Sequence, residues 1–340
     1  VGVLRGPTPV SIIIVAFESA SHLRSLLDSL AGDEQGADEV IVVDNASTDG
    51  SAAIAEAAGA TVIRLLTNEG FPKACHVGAA EARNDTLVFL NPDTEPRAGW
   101  LPPLLAALAL PGVGAACPTL ELAEKPGHFN TSGGALTYYG IAWATDVGAA
   151  VDGRRDPVET AFPTGAAMAV TAATWRDLGG YRPDFFLYHE DSDFGWRLRL
   201  RGLRSVRVPA SVVAHTYDYA RHPEKMFFLE RNRLMMLRAN YRPATLALLA
   251  PVLFFVELGV LIIAVRDGWA GAKFRSWVAA WRARKATRAW RQSIVRSVGD
   301  GEILATMQSA PVGVAQVGVP AARLVGWLLG AYQRFVRRFV

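Results

Sequence analysis

Apolar residues in the first ninety positions gather in short unbroken runs: 10–17 (VSIIIVAF), 39–44 (EVIVVD), 61–66 (TVIRLL) and 86–91 (TLVFLN). Runs that do not alternate with polar residues belong to strands covered on both faces, as in parallel sheets. Between them the spacing predicts helices over about 19–31, 49–58 and 71–83. This strand–helix repetition, with right-handed crossovers, implies an open, doubly wound α/β sheet that is mainly parallel. Ligands of such sheets bind beyond the carboxyl ends of the strands.

Those ends are polar here. Ala16-Phe17-Glu18 closes the first run, Asp44-Asn45-Ala46-Ser47-Thr48-Asp49-Gly50 the second, and Asn91-Pro92-Asp93 the fourth. Asn45, Ser47 and Asp49 also suit capping of the next helix, and Asn91-Pro92-Asp93 suits a turn. Three polar ends meeting in one crevice favour a ligand site over separate caps. No Walker A sequence and no G-x-G-x-x-G follows the first run, so a glycine-rich phosphate cradle is not the device used. A diphosphate then needs another holder, and Asp93 with a divalent metal meets that need.

Beyond residue 112 the pattern loosens, and the glycine-rich stretch 113–165 reads as irregular. The segment 162–202 then places Glu190, Asp191 and Asp193 at the head of a helix that carries Arg197, Arg199 and Arg201. Acids at a helix N-terminus are favoured by its dipole, so part of this cluster serves capping. Three acids in four residues beside Phe185, Phe186 and Tyr188 also describe a carboxylate poised in a cleft. His215 follows the strand-like VRVPASVVA; a lone histidine is commonly structural, yet an imidazole with Asp93 would complete a metal site with open positions.

The chain has 340 residues, 51% of them hydrophobic and 20% charged, which excludes a disordered polymer. Two cysteines, Cys75 and Cys117, exclude a disulfide scaffold and point to a reducing compartment. No cleavable secretory pattern precedes the first run. The net charge of +3 hides a division: residues 1–265 carry 22 basic and 29 acidic groups, whereas 266–340 carry 13 basic and 3 acidic ones. Two regions with opposite electrostatic tasks are expected.

Taken in order, SIIIVAF, VVDNASTDGS, NEGF, FLNPD, FPTGAAM and FLYHEDSDFGWRLRLRG resemble the inverting family-2 glycosyltransferases of the GT-A fold, and among them the rhamnosyltransferase-like enzymes of surface-polysaccharide synthesis. The resemblance covers about residues 8–242. It implies a nucleoside-diphosphate sugar as donor, with Ala16, Phe17 and Glu18 lining the nucleoside pocket and Asp44, with Asn45, at the base or ribose. Asn68, Gly70 and Lys73 fall in the loop that approaches the donor, although Lys73 also suits a solvated helix position. Asn91 and Asp93 fall on the metal-binding D-x-D motif, with Asp93 the ligand of Mn2+ or Mg2+ and Asn91 replacing its first acid. His215 matches a position that assists the metal or diphosphate. Asp191, in the pair with Glu190, matches the general base, and Gly165, Ala166 and Trp196 are the expected acceptor contacts. The implied acceptor is lipid-linked or a polysaccharide of the cell envelope.

Residues 244–265 form a 22-residue apolar run broken only by Glu257. At about 1.5 Å per residue it would span roughly 33 Å, enough for a bilayer core. A single crossing would put the +10 tail outside if the donor site faces the cytosol, against the positive-inside tendency. A second crossing at 303–322 is poor, being rich in Gly, Pro and Gln. A hairpin or a helix lying at the cytoplasmic membrane face is the better expectation. Two amphipathic stretches support it. Trp269, Phe274, Trp277, Trp281 and Trp290 interleave with arginines and Lys285, while Leu324, Leu328, Tyr332, Phe335 and Phe339 oppose Arg323, Arg334, Arg337 and Arg338. These read as interfacial helices on anionic membrane lipids. Packing on the catalytic domain, or on another copy of the chain as a homo-oligomer, is the alternative left open. Nucleic acid is not an expected partner, since the apolar run has no place in such a complex.

The expected division is a catalytic domain over 1–242 and a membrane-association region over 243–340. A sugar-phosphate nucleotidylyltransferase and a non-catalytic nucleotide-binding scaffold are the competing readings. The first lacks its Gly-rich loop after strand one, where AFESA stands instead, and the second leaves Asp44, Asp93 and Asp191 without a purpose.

Overall fold

A computed structural model describes residues 9–33, 37–216, 224–310 and 320–340, with side chains from 324 onward in the last stretch. Residues 311–319, inside the weak second crossing, and the Arg323 side chain lie outside the described residues. The chain divides into two units. The first comprises residues up to Gly134, Ala144–Leu198 and Leu203–Tyr219; the second comprises Ala135–Trp143, Arg199–Gly202 and Ala220–Val340. The sequence boundary at 242/243 falls inside the second unit.

The first unit begins with strand β1 (Val10–Ala16), helix α1 (Ala20–Ala31), β2 (Glu39–Asp44), α2 (Ser51–Ala57), β3 (Thr61–Arg64), α3 (Phe71–Glu81) and β4 (Thr86–Leu90). All four strands fall within the predicted runs, and β2 coincides with its run. The pairs β1–β2, β1–β4 and β2–β3 are parallel. Alternate residues of β1 serve two cores. Ile12 and Ile14 pack with Leu23, Leu26 and Leu27 of α1, whereas Ile13 and Val15 pack with Ala74 and Cys75 of α3. Both faces are thus buried, which is why the runs lack alternation.

The stretch that reads as irregular is instead largely β structure. After β5 (Thr94–Pro96) and α4 (Leu101–Leu108), β6 (Val113–Leu122) and β7 (Lys125–Thr131) form an antiparallel pair, followed by the short β8 (Gly134–Leu136), β9 (Ala142–Ala144) and β10 (Val158–Thr160). The ten-residue β6 is buried along its first eight positions, so its small residues Gly114, Ala115 and Ala116 fit close packing and do not signal a loop. Strand β11 (Ala167–Thr171) runs antiparallel between β4 and β6, and β12 (Arg204–His215) runs parallel to β6. The sheet order is β10-β12-β6-β11-β4-β1-β2-β3. Helices α5 (Ala172–Asp177) and α6 (Glu190–Leu200) complete this half.

The second unit is helical: α7 (Lys225–Asn240), α8 (Pro243–Arg266), α9 (Ala270–Arg282), α10 (Arg284–Ser293), α11 (Asp300–Thr306) and α12 (Pro320–Val336). Thr245 and the backbone of Arg242 bind Asp300 at 2.6 and 2.7 Å, and Tyr332 of α12 donates to the Leu248 carbonyl at 2.6 Å.

Gly78 shows how closely α3 sits on the sheet. A Cβ there would lie 2.4 Å from Ile13 Cγ2 and 3.1 Å from Val43 Cγ2. Both neighbours are β-branched and buried, so neither can swing away. Gly78→Ala gains about 1 kcal/mol of helix propensity but meets an overpacking cost of about 1–3 kcal/mol. The expected outcome is a lower urea midpoint with an unchanged slope.

Candidate active site

Three strand ends converge through hydrogen bonds. Asn45 donates from Nδ2 to Asn68 Oδ1 at 2.9 Å and accepts at Oδ1 from the Glu69 N–H at 2.9 Å. Asn68 Oδ1 also accepts from the Gly70 N–H at 3.0 Å. The loops after β2 and β3 are therefore one clamp. Glu18 closes a second clamp: its Oε1 accepts from the Thr48 N–H at 2.8 Å and from the Thr48 hydroxyl at 3.1 Å. Asp44, 4% exposed, takes the Ser47 N–H at 3.1 Å. Ala16 is buried and its carbonyl accepts from Asn45, whereas Phe17 stands 48% exposed beside them. Lys73 is an exposed partner of Glu69 at 2.9 Å, four residues away on the same turn, which fits a solvated helix residue.

The loop bearing Gly70 leans on the segment before the acidic cluster. The Phe71 N–H donates to the Phe186 carbonyl at 2.8 Å. Gly70 has φ +83°, and a Cβ there would lie 2.6 Å from that same carbonyl oxygen, so only glycine fits. Phe186, Tyr188 and His189 all hold positive φ, at 63°, 68° and 68°. Such backbone is costly for side-chain-bearing residues and concentrates at functional sites.

Asp191 lies at the start of α6. Its Oδ2 accepts from the Gly165 N–H at 3.3 Å and its Oδ1 from the Ser192 N–H at 2.6 Å. The neighbouring Ala166 carbonyl accepts from the Asn91 N–H at 2.9 Å. Two hydrogen bonds thus tie the end of β4 to Asp191. Burial raises the Asp191 pKa, against the opposing pull of the two N–H donors. Burial, and then the Asp191 charge, raise Glu190 further. Asp193 differs from both: it pairs with Arg197 at 2.7 Å, and Arg197 also reaches the Leu178 and Gly180 carbonyls. It is a structural acid. Trp196 is 1% exposed, so it props α6 from within and presents no face to an acceptor, contrary to the sequence expectation.

Asp93 and His215 meet on the neighbouring strands. β5 pairs with β12 so that Thr94 faces His215, and the Asp93 carbonyl accepts from the Thr216 N–H at 3.0 Å. Asp93 Oδ1 and His215 Nε2 are 3.4 Å apart, both residues 3% exposed. Asn130 of β7, which the sequence did not single out, lies 3.0 Å from His215 Nδ1 through its carbonyl oxygen. This contact fixes the ring so that Nε2 is the atom turned to Asp93. A carboxylate oxygen and an imidazole nitrogen are both donors that divalent ions accept, and the outer hydrogen bond orients the ring. Among the described residues no three His, Cys, Asp or Glu side chains gather as a closed metal cage. Asp93 and His215 are thus, among the described residues, the two donors that would fit a divalent metal here. Eighty-five residues separate Asn130 from His215, and no local motif signals the pairing.

Residues 11–167 match the model of Glycosyl transferase family 2. Over that stretch, a little under half of the chain, the sequence is similar to the glycosyltransferases of family 2. It is 31% identical over 222 residues to the pre-mycofactocin glycosyltransferase of Mycobacterium tuberculosis, covering 61% of this chain and 43% of that protein. The chain thus spans less than half the length of that relative. It is 26% identical over 231 residues to the N-acetylglucosaminyl-diphospho-decaprenol L-rhamnosyltransferase of the same organism, covering 60% of this chain and 75% of the relative. The crystal structure of GalNAc-T7 with UDP, GalNAc and Mn2+ superposes with a TM-score of 0.58 at 18% identity, over 68% of this chain and 48% of that one. This part of the chain has the GT-A fold, as the ordered motifs implied.

The acid pair makes a spectroscopic prediction. An acid with a raised pKa is protonated at pH values where an ordinary aspartate is charged, so Asp191 should titrate above the usual aspartate range. Its carboxyl carbon, followed by NMR, reports this directly.

Proposed function

We propose that this chain transfers a sugar, with inversion, from a nucleoside-diphosphate donor to a hydroxyl of a lipid-linked or polysaccharide acceptor. Catalysis is assigned to the first unit. The observation that carries this reading is the hydrogen-bonded path from β4 to Asp191, which brings a basic carboxylate to the strand end that holds Asp93. Asp191 takes the proton of the acceptor hydroxyl. The freed oxygen pair attacks the anomeric carbon from one face while the bond to the diphosphate oxygen breaks on the other, and the diphosphate leaves with that electron pair. A base whose pKa is raised toward the working pH suits this task, and such help is typically worth about 10²–10⁴-fold. Glu190, buried beside it, is likewise pushed toward the protonated form, which limits the charge in the pocket.

Asp93 and His215 would hold Mn2+ or Mg2+, with Asn130 fixing the imidazole. The ion supplies Lewis-acid stabilisation of the departing diphosphate. Asp44 and the exposed Phe17 are assigned to the nucleoside, and the Asn45–Asn68 clamp with Gly70 to shaping the loop over the donor. Gly165 and Ala166, hydrogen-bonded to Asp191 and Asn91, border the acceptor side. The acceptor class is supported by the decaprenol-linked substrate in the name of the rhamnosyltransferase relative. An acceptor of that kind places the enzyme at the cytoplasmic face of a membrane, where sugar nucleotides are made.

Asp191→Asn keeps the shape and removes the base. Turnover should fall by about 10²–10⁴-fold, with donor affinity by calorimetry nearly unchanged and an inverted anomeric proton coupling in the parent's product. Substantial residual transfer would sink the assignment.

The metal reading is tested without turnover. Nucleoside diphosphates should raise the melting temperature more with Mn2+ or Mg2+ than without; saturation at a hundredfold over Kd is worth about 2.7 kcal/mol. Asp93→Asn and His215→Ala should each abolish the metal-dependent part. A nucleotide shift that ignores metal in the parent chain would falsify it.

A further inference from the structure

Helix α8 is 24 residues long and apolar enough to cross a bilayer by length and composition. Its surroundings argue for another placement. Thr245, Leu249, Val252 and Ala264 are buried on one side. Ala247, Phe254, Phe255, Leu258, Ile262 and Val265 fall on the opposite side at helical spacing and are exposed, Phe254 and Phe255 at 65% and 69%. No polar residue interrupts that stripe.

The flank of α8 is fastened to charged helices. Glu257 is bonded to Arg233 of α7, to Lys273 of α9 at 2.8 Å and to the Trp277 indole N–H at 2.5 Å. Arg233 and Lys273 in turn share Glu230. A crossing α8 would either drag this four-charge node into hydrocarbon or leave its buried members unpaired, and both are unfavourable. Lying in the interface costs neither, because the node faces away from the exposed stripe.

The neighbouring helices extend the same chemistry. Phe274, Val278 and Trp281 are exposed on α9, and Leu324, Trp327 and Leu328 on α12. Arg284 sits 4.0 Å over the Trp281 ring, pairing a cation with an aromatic as at a headgroup boundary. Exposed Arg284, Lys285 and Arg288 follow on α10, within a tail of 13 basic and 3 acidic groups. That charge complements anionic lipid and repels a second copy of the same surface.

We propose that α8 is an in-plane membrane anchor, its exposed 247–265 stripe sunk into the headgroup boundary of an anionic bilayer without crossing it. The stripe and the basic helix α10 act together, the first by apolar burial and the second by attraction to anionic headgroups.

The test uses the full chain added to preformed phosphatidylcholine vesicles with or without phosphatidylglycerol. Flotation with the vesicles should depend on phosphatidylglycerol and weaken with salt. Phe254→Ser/Leu258→Ser should remove it while near-UV circular dichroism stays that of the parent. Arg284→Ala/Lys285→Ala/Arg288→Ala should weaken partitioning about a hundredfold at low salt. Single cysteines placed by Ala244→Cys and Asp267→Cys, at the two ends of α8, should both react with a membrane-impermeant maleimide on bound protein; the native cysteines are buried. Protection of either cysteine shows a crossing and overturns the proposal. So does flotation indifferent to phosphatidylglycerol or to the Phe254→Ser/Leu258→Ser change. A parent chain that dimerises through the stripe and does not float also overturns it.

Discussion

The fold is governed by one constraint: β1, β2 and β4 are buried on both faces, so their side chains have no room for polar atoms along their length. Ser11, Glu39 and Thr86 are exceptions at the far end, where Ser11 and Glu39 bond each other at 2.6 Å. Functional groups can then appear only where the strands run out. Phe17, Asp44, Asn45, Asn91 and Asp93 all stand at or just after a carboxyl end, and the parallel pairing of β1 with β2 and β4 sets those ends side by side. The crevice follows from the packing of the sheet and not from any one motif.

What turns the crevice into a site is the way its loops hold one another. Asn45 and Asn68 join the ends of β2 and β3, Glu18 joins the end of β1 to the 47–48 turn, and Phe186 receives the N–H of Phe71. Each bond satisfies a backbone or amide group that would otherwise be left in a partly closed space, where an unmet partner costs about 1–3 kcal/mol. The positive φ of Phe186, Tyr188 and His189 persists because Gly70 leaves room for the Phe186 carbonyl. The loop bearing Gly70 and the segment leading into the acid-bearing helix meet in this way at the Phe186 carbonyl oxygen.

Legibility in the sequence followed locality. The strands of the first half are readable because burial on both faces leaves a continuous apolar run, whereas Asp93 and Asp191 are singled out as candidates because each lies in a short distinctive string. The β6–β7 pair was not readable: Gly114, Ala115 and Ala116 resemble a loop until the facing side chains, such as Leu198 2.4 Å from a Cβ at Gly114, explain why only small residues fit. Asn130 was invisible for a related reason, since its meaning is a partner eighty-five residues away. Trp196 misled in the other direction. The resemblance implies an acceptor contact there, but helical phase turns the side chain inward, 1% exposed. The apolar run at 244–265 was found at once, yet the role of Glu257 within it depended on Arg233 and Lys273, which no window around the run contains.

Glu257 and the Glu190–Asp191 pair show how one residue type is set to opposite purposes. Burial pushes every one of these acids toward the protonated form. For Glu257 and Glu230, Arg233 and Lys273 outweigh burial and bring both carboxylates below the usual range, Glu230 to about 2. They are fixed charges whose work is to bind helices together. Among the described residues no such cation is bonded to Asp191: Arg197, on the same helix, is held instead by Asp193 and two carbonyls. Asp191 has only backbone N–H groups to oppose burial, and burial prevails. The placement of Arg197 therefore matters as much to the proposed chemistry as the acid itself. Had its guanidinium paired with Asp191, the carboxylate would be a firmly charged but feeble base. By engaging Asp193 two residues on, Arg197 anchors α6 and leaves Asp191 able to accept a proton.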